Sequence, residues 1–318
     1  MNNQLPHIVY VGSSEGFEAT ATVFAGYAST EHVPATDEAI AAALARADGF
    51  LDASMKVHIT DRMIAAAPRL KIIACATTGS DHIARDFLDQ RGIPVRTLKE
   101  DPELLRNITP AAELSWALLM ACARRLPAAV SHVREGLWVR EEFPGIMLNG
   151  KTLGIIGCGR IGSWMARYAN AFCMNVIAHD PYQQTYPAGV RPATLSELMA
   201  KADFVSVHVH LSQATAGLVS RALLEDCKPG MILINTSRGA IVDEAALVDG
   251  LSCGRIGGAG LDVLDGEPDI AKHPLVELAR HHGNVLITPH CGGFSPDAVR
   301  LVCAHSARKI AAALGVPV

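Results

Sequence analysis

Short apolar runs and longer amphipathic stretches take turns along the chain, a rhythm that predicts parallel sheets covered by crossover helices. In the first hundred residues the strand candidates are 8–11, 49–51, 70–76 and a short one from Val95. Helices are expected at 37–47, where Asp37 is a cap and Ile40 and Leu44 share a face, from Thr60 or Asp61 up to Pro68, and at 83–90. A longer helix is predicted over 110–126, with Pro110 in its first turn and Pro127 ending or kinking it. A second is predicted over 130–138.

The second half carries six strand candidates, 153–156, 176–179, 204–209, 231–235, 258–263 and 285–287. Helices are expected at 162–171, 220–225 and 243–251, and a final amphipathic helix at 295–314. Six strands with crossover helices fit a doubly wound dinucleotide domain. The chain therefore reads as α/β, with two doubly wound parallel-sheet domains and a first crossing in the proline-marked segment 101–110.

Composition narrows the function without naming it. The 318 residues are 49% apolar and 19% charged, with a formal net charge of −4, as in an ordinary soluble protein. Mild acidity argues against nucleic acid as a partner. No apolar run approaches the ~18 residues that span a bilayer. The stretch from Met1 to Pro6 has no basic region ahead of an apolar one, so no secretory leader is expected. The eight cysteines form no CxxC pair and read as reduced, buried thiols of a cytoplasmic protein.

The sharpest local signal lies between Lys151 and Ser163. An apolar strand enters Gly157-Cys158-Gly159-Arg160-Ile161-Gly162, a helix follows, and the next strand ends at Asp180. The first glycine makes the tight turn, the second admits a pyrophosphate, and the third lets helix pack on strand. Backbone N–H groups of Arg160 and Ile161 at the helix start suit phosphates. Asp180 sits where a carboxylate accepts from ribose hydroxyls and repels a 2′-phosphate, which predicts NAD over NADP. Methyltransferases and flavoproteins share such turns, so the turn alone names no reaction.

Three later strands end in polar residues: Arg238 after one, Asp262 and Glu267 after the next, His290 after the last. An arginine fork can hold a carboxylate and polarise a carbonyl. A histidine can give a proton near neutral pH, and an adjacent carboxylate orients it. The set suits hydride transfer to a 2-keto acid. Earlier, the strand 70–76 runs into Thr77-Thr78-Gly79-Ser80, which reads either as an ordinary Gly/Ser turn capping the next helix or as a loop whose N–H groups around Thr78, Gly79 and Ser80 cradle an anion such as a substrate carboxylate.

These motifs together resemble the D-isomer-specific 2-hydroxyacid dehydrogenase family over nearly the whole chain. The resemblance rests on the Thr77–His82 loop, GIIGCGRIG, INTSRGAIVDEAAL, GAGLDVLDGEP and ITPHCGG. It implies a Rossmann-type cofactor domain, 103–292, inserted into a flavodoxin-like substrate domain, 1–102 and 293–318, and a homodimer packed through the helices after the first crossing. It implies that Arg238 binds substrate, that Glu267 partners the histidine and that His290 is the proton donor. Gly157, Gly159, Arg160, Ile161, Gly162 and Asp180 fall on cofactor positions. Thr236, Ser237, Arg238, Asp262, His290, Gly292 and Gly293 fall around the nicotinamide half, and His208 in a loop lining the cofactor. Thr78 and Gly79 fall on the substrate loop.

Two departures bear on the substrate and on metals. Asp52 stands where a phosphate-binding arginine is expected in a phosphoglycerate dehydrogenase segment, and an acid there should repel a phosphate. His210 stands where proline is common; with His208 it would share one face of the strand, but further ligands are lacking, so no metal is expected. The final helix lies near the chain end, and no C-terminal regulatory module is expected. The resulting expectation is an NAD-dependent oxidoreductase interconverting a small D-2-hydroxy acid and its 2-keto acid. An NAD(H)-sensing binding protein is the alternative.

Overall fold

The computed structural model describes residues 5–318, so most of the stretch read for a leader, from Met1 to Pro6, lies outside the described residues. The chain divides into two compact units, Met1–Ile108 with Phe294–Val318, and Thr109–Gly293. The sequence reading places the divisions at 102 and 292.

The first unit holds a five-stranded parallel sheet of β1 (His7–Val11), β2 (Ser29–His32), β3 (Gly49–Asp52), β4 (Ile72–Cys75) and β5 (Val95–Arg96). Its order is β2-β1-β3-β4-β5, the flavodoxin-like arrangement. Alternate strand residues point to opposite faces. Ile8, Tyr10, Leu51 and Ile72 pack with Phe24 and with Val302, Cys303, Ala307 and Ile310 of the helix Pro296–Leu314. Val9, Val11, Phe50 and Ile73 pack with Ile40, Leu44, Met63 and Ile64. The helix Ser14–Phe24 and β2 were not expected. That helix buries only Gly16, Thr20 and Phe24, a weak stripe, and β2 has no apolar residue and forms by pairing with β1.

The second unit holds β6 (Thr152–Ile156), β7 (Asn175–His179), β8 (Val190–Pro192), β9 (Phe204–Val207), β10 (Met231–Asn235), β11 (Ile256–Leu261) and β12 (Val285–Ile287). They form one parallel sheet in the order β12-β11-β10-β9-β6-β7-β8. The described sheet thus has seven strands where six were expected. The addition is β8, a short edge strand whose Pro192 is tolerated because an edge can do without one donor. The strand expected over 204–209 stops at Val207, so His208 and His210 lie beyond it and do not share a strand face.

The long helix is Pro110–Ala123, followed by Leu126–Arg134. Arg125 turns the chain between them with a left-handed φ of 49°. Pro127 therefore lies in the first turn of the second helix, where its missing N–H leaves nothing unpaired, and Trp138 lies outside the helix. All eight cysteines are free. Cys173 and Cys253 are exposed rather than buried, because each sits in the turn that closes a helix. No helix among the described residues is long and apolar enough to cross a membrane.

Candidate active site

The last paired residues of five neighbouring strands form one row, Ile156–Val207–Asn235–Leu261–Ile287. Parallel strands then deliver the glycine turn, the Arg238 loop, the Glu267 loop and the His290 loop to one carboxyl edge of one sheet. Ligands of open α/β sheets lie beyond that edge.

At the glycine turn, Gly157 has φ 88°, and a Cβ there would fall 2.6 Å from the carbonyl oxygen of His208. A Cβ at Gly162 would fall 2.2 Å from the carbonyl oxygen of Gly157, so the helix Arg160–Ala171 lies directly against the turn. A Cβ at Gly159 would meet nothing within 4 Å. That helix begins at Gly159 with no side-chain cap, and the partial positive charge of a helix start favours an anion there. Close packing behind the turn and open space before it fit a dinucleotide pyrophosphate.

Asp180, expected at a ribose, is bonded to backbone on both oxygens. Its Oδ2 accepts from the backbone N–H of Cys158 at 2.9 Å and its Oδ1 from that of Tyr182 at 3.0 Å. The carboxylate thus braces the glycine turn against the end of β7. His208 presents its backbone to the turn. Its Nε2 lies 2.7 Å from Ser206 Oγ, and its Nδ1 is buried without a hydrogen-bond partner among the described residues. Burial pushes its pKa down to about 3, so the ring is neutral. Among the described residues no group of three or more His, Cys, Asp or Glu could hold a metal ion.

The loop after β10 is built from its own polar groups. Ser237 N–H donates to Asn235 Oδ1, Asn235 Nδ2 donates to the carbonyl of Arg238, and Ser237 Oγ donates to the carbonyl of Val207. Thr236 Oγ1 lies 2.7 Å from Ser115 Oγ on the helix Pro110–Ala123. Arg238 is half-buried, and its guanidinium donates to the carbonyl of Ser237 at 2.7 Å.

The expected nicotinamide-lining Asp262 is only 1% exposed. Its Oδ1 accepts from Thr288 Oγ1 at 2.5 Å and Cys291 N at 2.9 Å, and its Oδ2 accepts from Gly292 N at 2.7 Å. Its carboxylate is directed into the 288–292 loop and shapes that loop. The loop holds His290 at φ 51°, with Nδ1 2.5 Å from Glu267 Oε1, while the side chain stays 38% exposed. Glu267 Oε2 accepts from Leu264 N–H at 3.3 Å. Gly293 is exposed just beyond.

In the first unit, Thr78 and Gly79 lie half-buried past the end of β4, where Thr77 Oγ1 donates to the carbonyl of Gly79. Asp52 is not positioned as expected. It is 2% exposed, its Oδ2 lies 2.8 Å from His82 Nε2, and its Oδ1 accepts from Ser54 and Met55. Its charge is turned inward and matched there, so it gives no argument against a phosphorylated substrate.

Comparison with known proteins agrees with this fold. Residues 17–100 match the catalytic domain, and residues 116–292 the NAD binding domain, of D-isomer specific 2-hydroxyacid dehydrogenases. The chain belongs to that family. D-3-phosphoglycerate dehydrogenase of Mycobacterium tuberculosis is 41% identical over 260 residues, 81% of this chain but 47% of that protein. The chain thus spans about half the length of the phosphoglycerate dehydrogenases it matches. Hydroxypyruvate reductase of Thermotoga maritima is 36% identical over 81% of this chain and 82% of its own. Among solved structures, the TT0316 protein of Thermus thermophilus matches with a TM-score of 0.86 and 33% identity over 97% of each chain. D-lactate dehydrogenase of Aquifex aeolicus, solved with NAD and lactic acid, matches with a TM-score of 0.84 and 25% identity over 97% of this chain and 95% of its own. The family's NAD-binding domain identifies the dinucleotide for which the glycine turn is shaped as NAD.

Proposed function

We propose that the chain interconverts a small D-2-hydroxy acid and its 2-keto acid, with NAD as cofactor and His290 as acid and base. The observation that carries this reading is the Glu267–His290 contact at the same sheet edge as Arg238 and the glycine turn. NADH, when bound, supplies the hydride that reduces C2 of the keto acid. Gly157, Gly159, Arg160, Ile161 and Gly162 hold its pyrophosphate, Asp180 its ribose, and Thr236, Ser237, Gly292 and Gly293 border its nicotinamide. Arg238 pairs with the substrate carboxylate and polarises the carbonyl. His290 gives its Nε2 proton to the new alkoxide and keeps its Nδ1 proton, which it donates to Glu267 Oε1. Thr78 and Gly79 serve as further substrate-binding residues.

The helix Leu126–Arg134 supports a homodimer. It buries no residue within its own chain, and Leu126, Val130 and Val133 are exposed on it, with Leu137 and an 86% exposed Trp138 just beyond. Eight free cysteines suit a reducing cytoplasm.

The test is steady-state NADH oxidation with pyruvate, glyoxylate, hydroxypyruvate, bulkier keto acids and 3-phosphohydroxypyruvate, repeated with NADPH. Turnover with at least one acid, faster with NADH, is expected. Tight NADH binding with no turnover on any of them would overturn the dehydrogenase reading in favour of an NAD-sensing protein.

A further inference from the structure

The segment that presents Glu267 is gripped by a carboxylate that the proposed chemistry does not use. Glu244 opens the helix Glu244–Ser252, and its side chain is 15% exposed. Its Oε1 accepts from the backbone N–H of Asp265 at 3.1 Å, and its Oε2 lies 2.9 Å from His273 Nε2. Leu275 N–H donates to Nδ1 of the same ring at 3.2 Å, which leaves the ring proton on Nε2, donated to Glu244. His273 is itself the cap of the helix Pro274–Ala279. One carboxylate therefore joins two helix starts to the Glu267 loop.

The bonds run on toward the reacting atoms. Asp265 follows Leu264, whose N–H donates to Glu267 Oε2, and Glu267 Oε1 meets His290 Nδ1. The same backbone lies flat on the residue after Arg238: a Cβ on Gly239 would fall 2.0 Å from Asp265 N. We propose that Glu244, held by His273, is a positioning residue that fixes residues 264–267 and so keeps Glu267 on His290. The proposal rests on the reading of His290 given above. Removing Glu244 takes away the acceptor of the Asp265 N–H and the partner of His273, and so releases the loop. An ångström of displacement at a catalytic contact costs up to ~100-fold in rate.

The experiment compares the parent with Glu244→Ala, Glu244→Gln and His273→Leu. It measures kcat and KM for the best keto acid of the panel, NADH affinity by fluorescence, and the His290 ring by 15N NMR of histidine-labelled protein, assigned by difference with His290→Gln. Glu244→Ala is expected to lower kcat by about 10- to 100-fold, leave NADH affinity within about twofold, and abolish the Nδ1–H tautomer preference of His290. Glu244→Gln keeps an acceptor for Asp265 N–H but turns its NH2 toward His273 Nε2–H, and is expected to recover part of kcat. His273→Leu should show a smaller loss of the same kind, and it carries the test if Glu244→Ala does not fold. Parent kcat with a parent His290 spectrum in these variants overturns the proposal. So does a loss that Gln does not relieve and that NADH affinity follows in parallel, the mark of a general structural role. A parent inactive on every keto acid sinks the dehydrogenase reading alone; the His290 spectrum still decides the role of Glu244.

Discussion

Glu267 Oε1 lies 2.5 Å from Nδ1 of His290, and Glu267 Oε2 accepts from the backbone of its own loop. The carboxylate is thus aimed by one oxygen and acts with the other. In the proposed reaction it selects the tautomer that protonates Nδ1 and leaves Nε2 to exchange protons with substrate. His290→Ala is expected to lower kcat by about two to four orders of magnitude while NADH affinity stays unchanged, read by steady-state kinetics beside a fluorescence titration. An unchanged kcat would remove His290 from the mechanism.

Arg238 calls for a different signature. A lysine there keeps the charge but loses the planar fork that pairs with a carboxylate through two bonds. Arg238→Lys is expected to raise KM for the keto acid and lower kcat/KM by about 100-fold, at ~1.4 kcal/mol per factor of ten, with NADH affinity retained. If KM stays at the parent value, Arg238 does not hold the substrate.

Much of this edge was legible in the sequence because strands in a parallel sheet are near-continuous apolar runs, and Met231–Asn235 and Thr152–Ile156 stand out as such. Arg238, Glu267 and His290 follow such runs directly, so their convergence on one edge needs only strand order. The weaker elements escaped for lack of an apolar signal. Ser29–His32 has none, and Val190–Pro192 has only one apolar residue before its proline and buries none. Asp52 misled for another reason. A sequence shows a charge but not its direction, and this one is turned toward His82. Asp262, Asp180 and Glu244 share that limit, since their carboxylates serve backbone N–H groups whose positions only the fold reveals.

The glycine turn offers a separation of folding from binding. At Gly162 a methyl group would fall 2.2 Å from a carbonyl oxygen, whereas at Gly159 it would meet nothing within 4 Å. Gly162→Ala is expected to lower Tm or prevent folding. Gly159→Ala is expected to fold with the parent Tm yet lose NADH affinity by about tenfold or more, since each factor of ten is only ~1.4 kcal/mol. Parent affinity in Gly159→Ala would place the pyrophosphate elsewhere.

The Asp52–His82 pair sets a pH limit on the first unit. Burial alone would raise the Asp52 carboxyl, but the bonds from His82, Ser54 and Met55 outweigh it and hold the group below its usual range. A depressed folded-state value means that the unfolded chain takes up the proton first. The stabilisation is therefore complete above the unfolded value of ~3.9 and is lost as pH falls through the folded value. Asp52→Asn removes the charge that receives these bonds and is expected to destabilise the protein by about 2 kcal/mol near neutral pH. In urea unfolding the gap between parent and variant should be widest above about pH 5 and narrow as the pH falls below the unfolded value of ~3.9. A gap that stays constant over that range would show that the Asp52 charge contributes nothing to the fold. Because the carboxylate faces inward, the same variant is also expected to leave KM for 3-phosphohydroxypyruvate unchanged relative to hydroxypyruvate. A selective gain with the phosphorylated acid would instead mean that the Asp52 charge reaches the substrate.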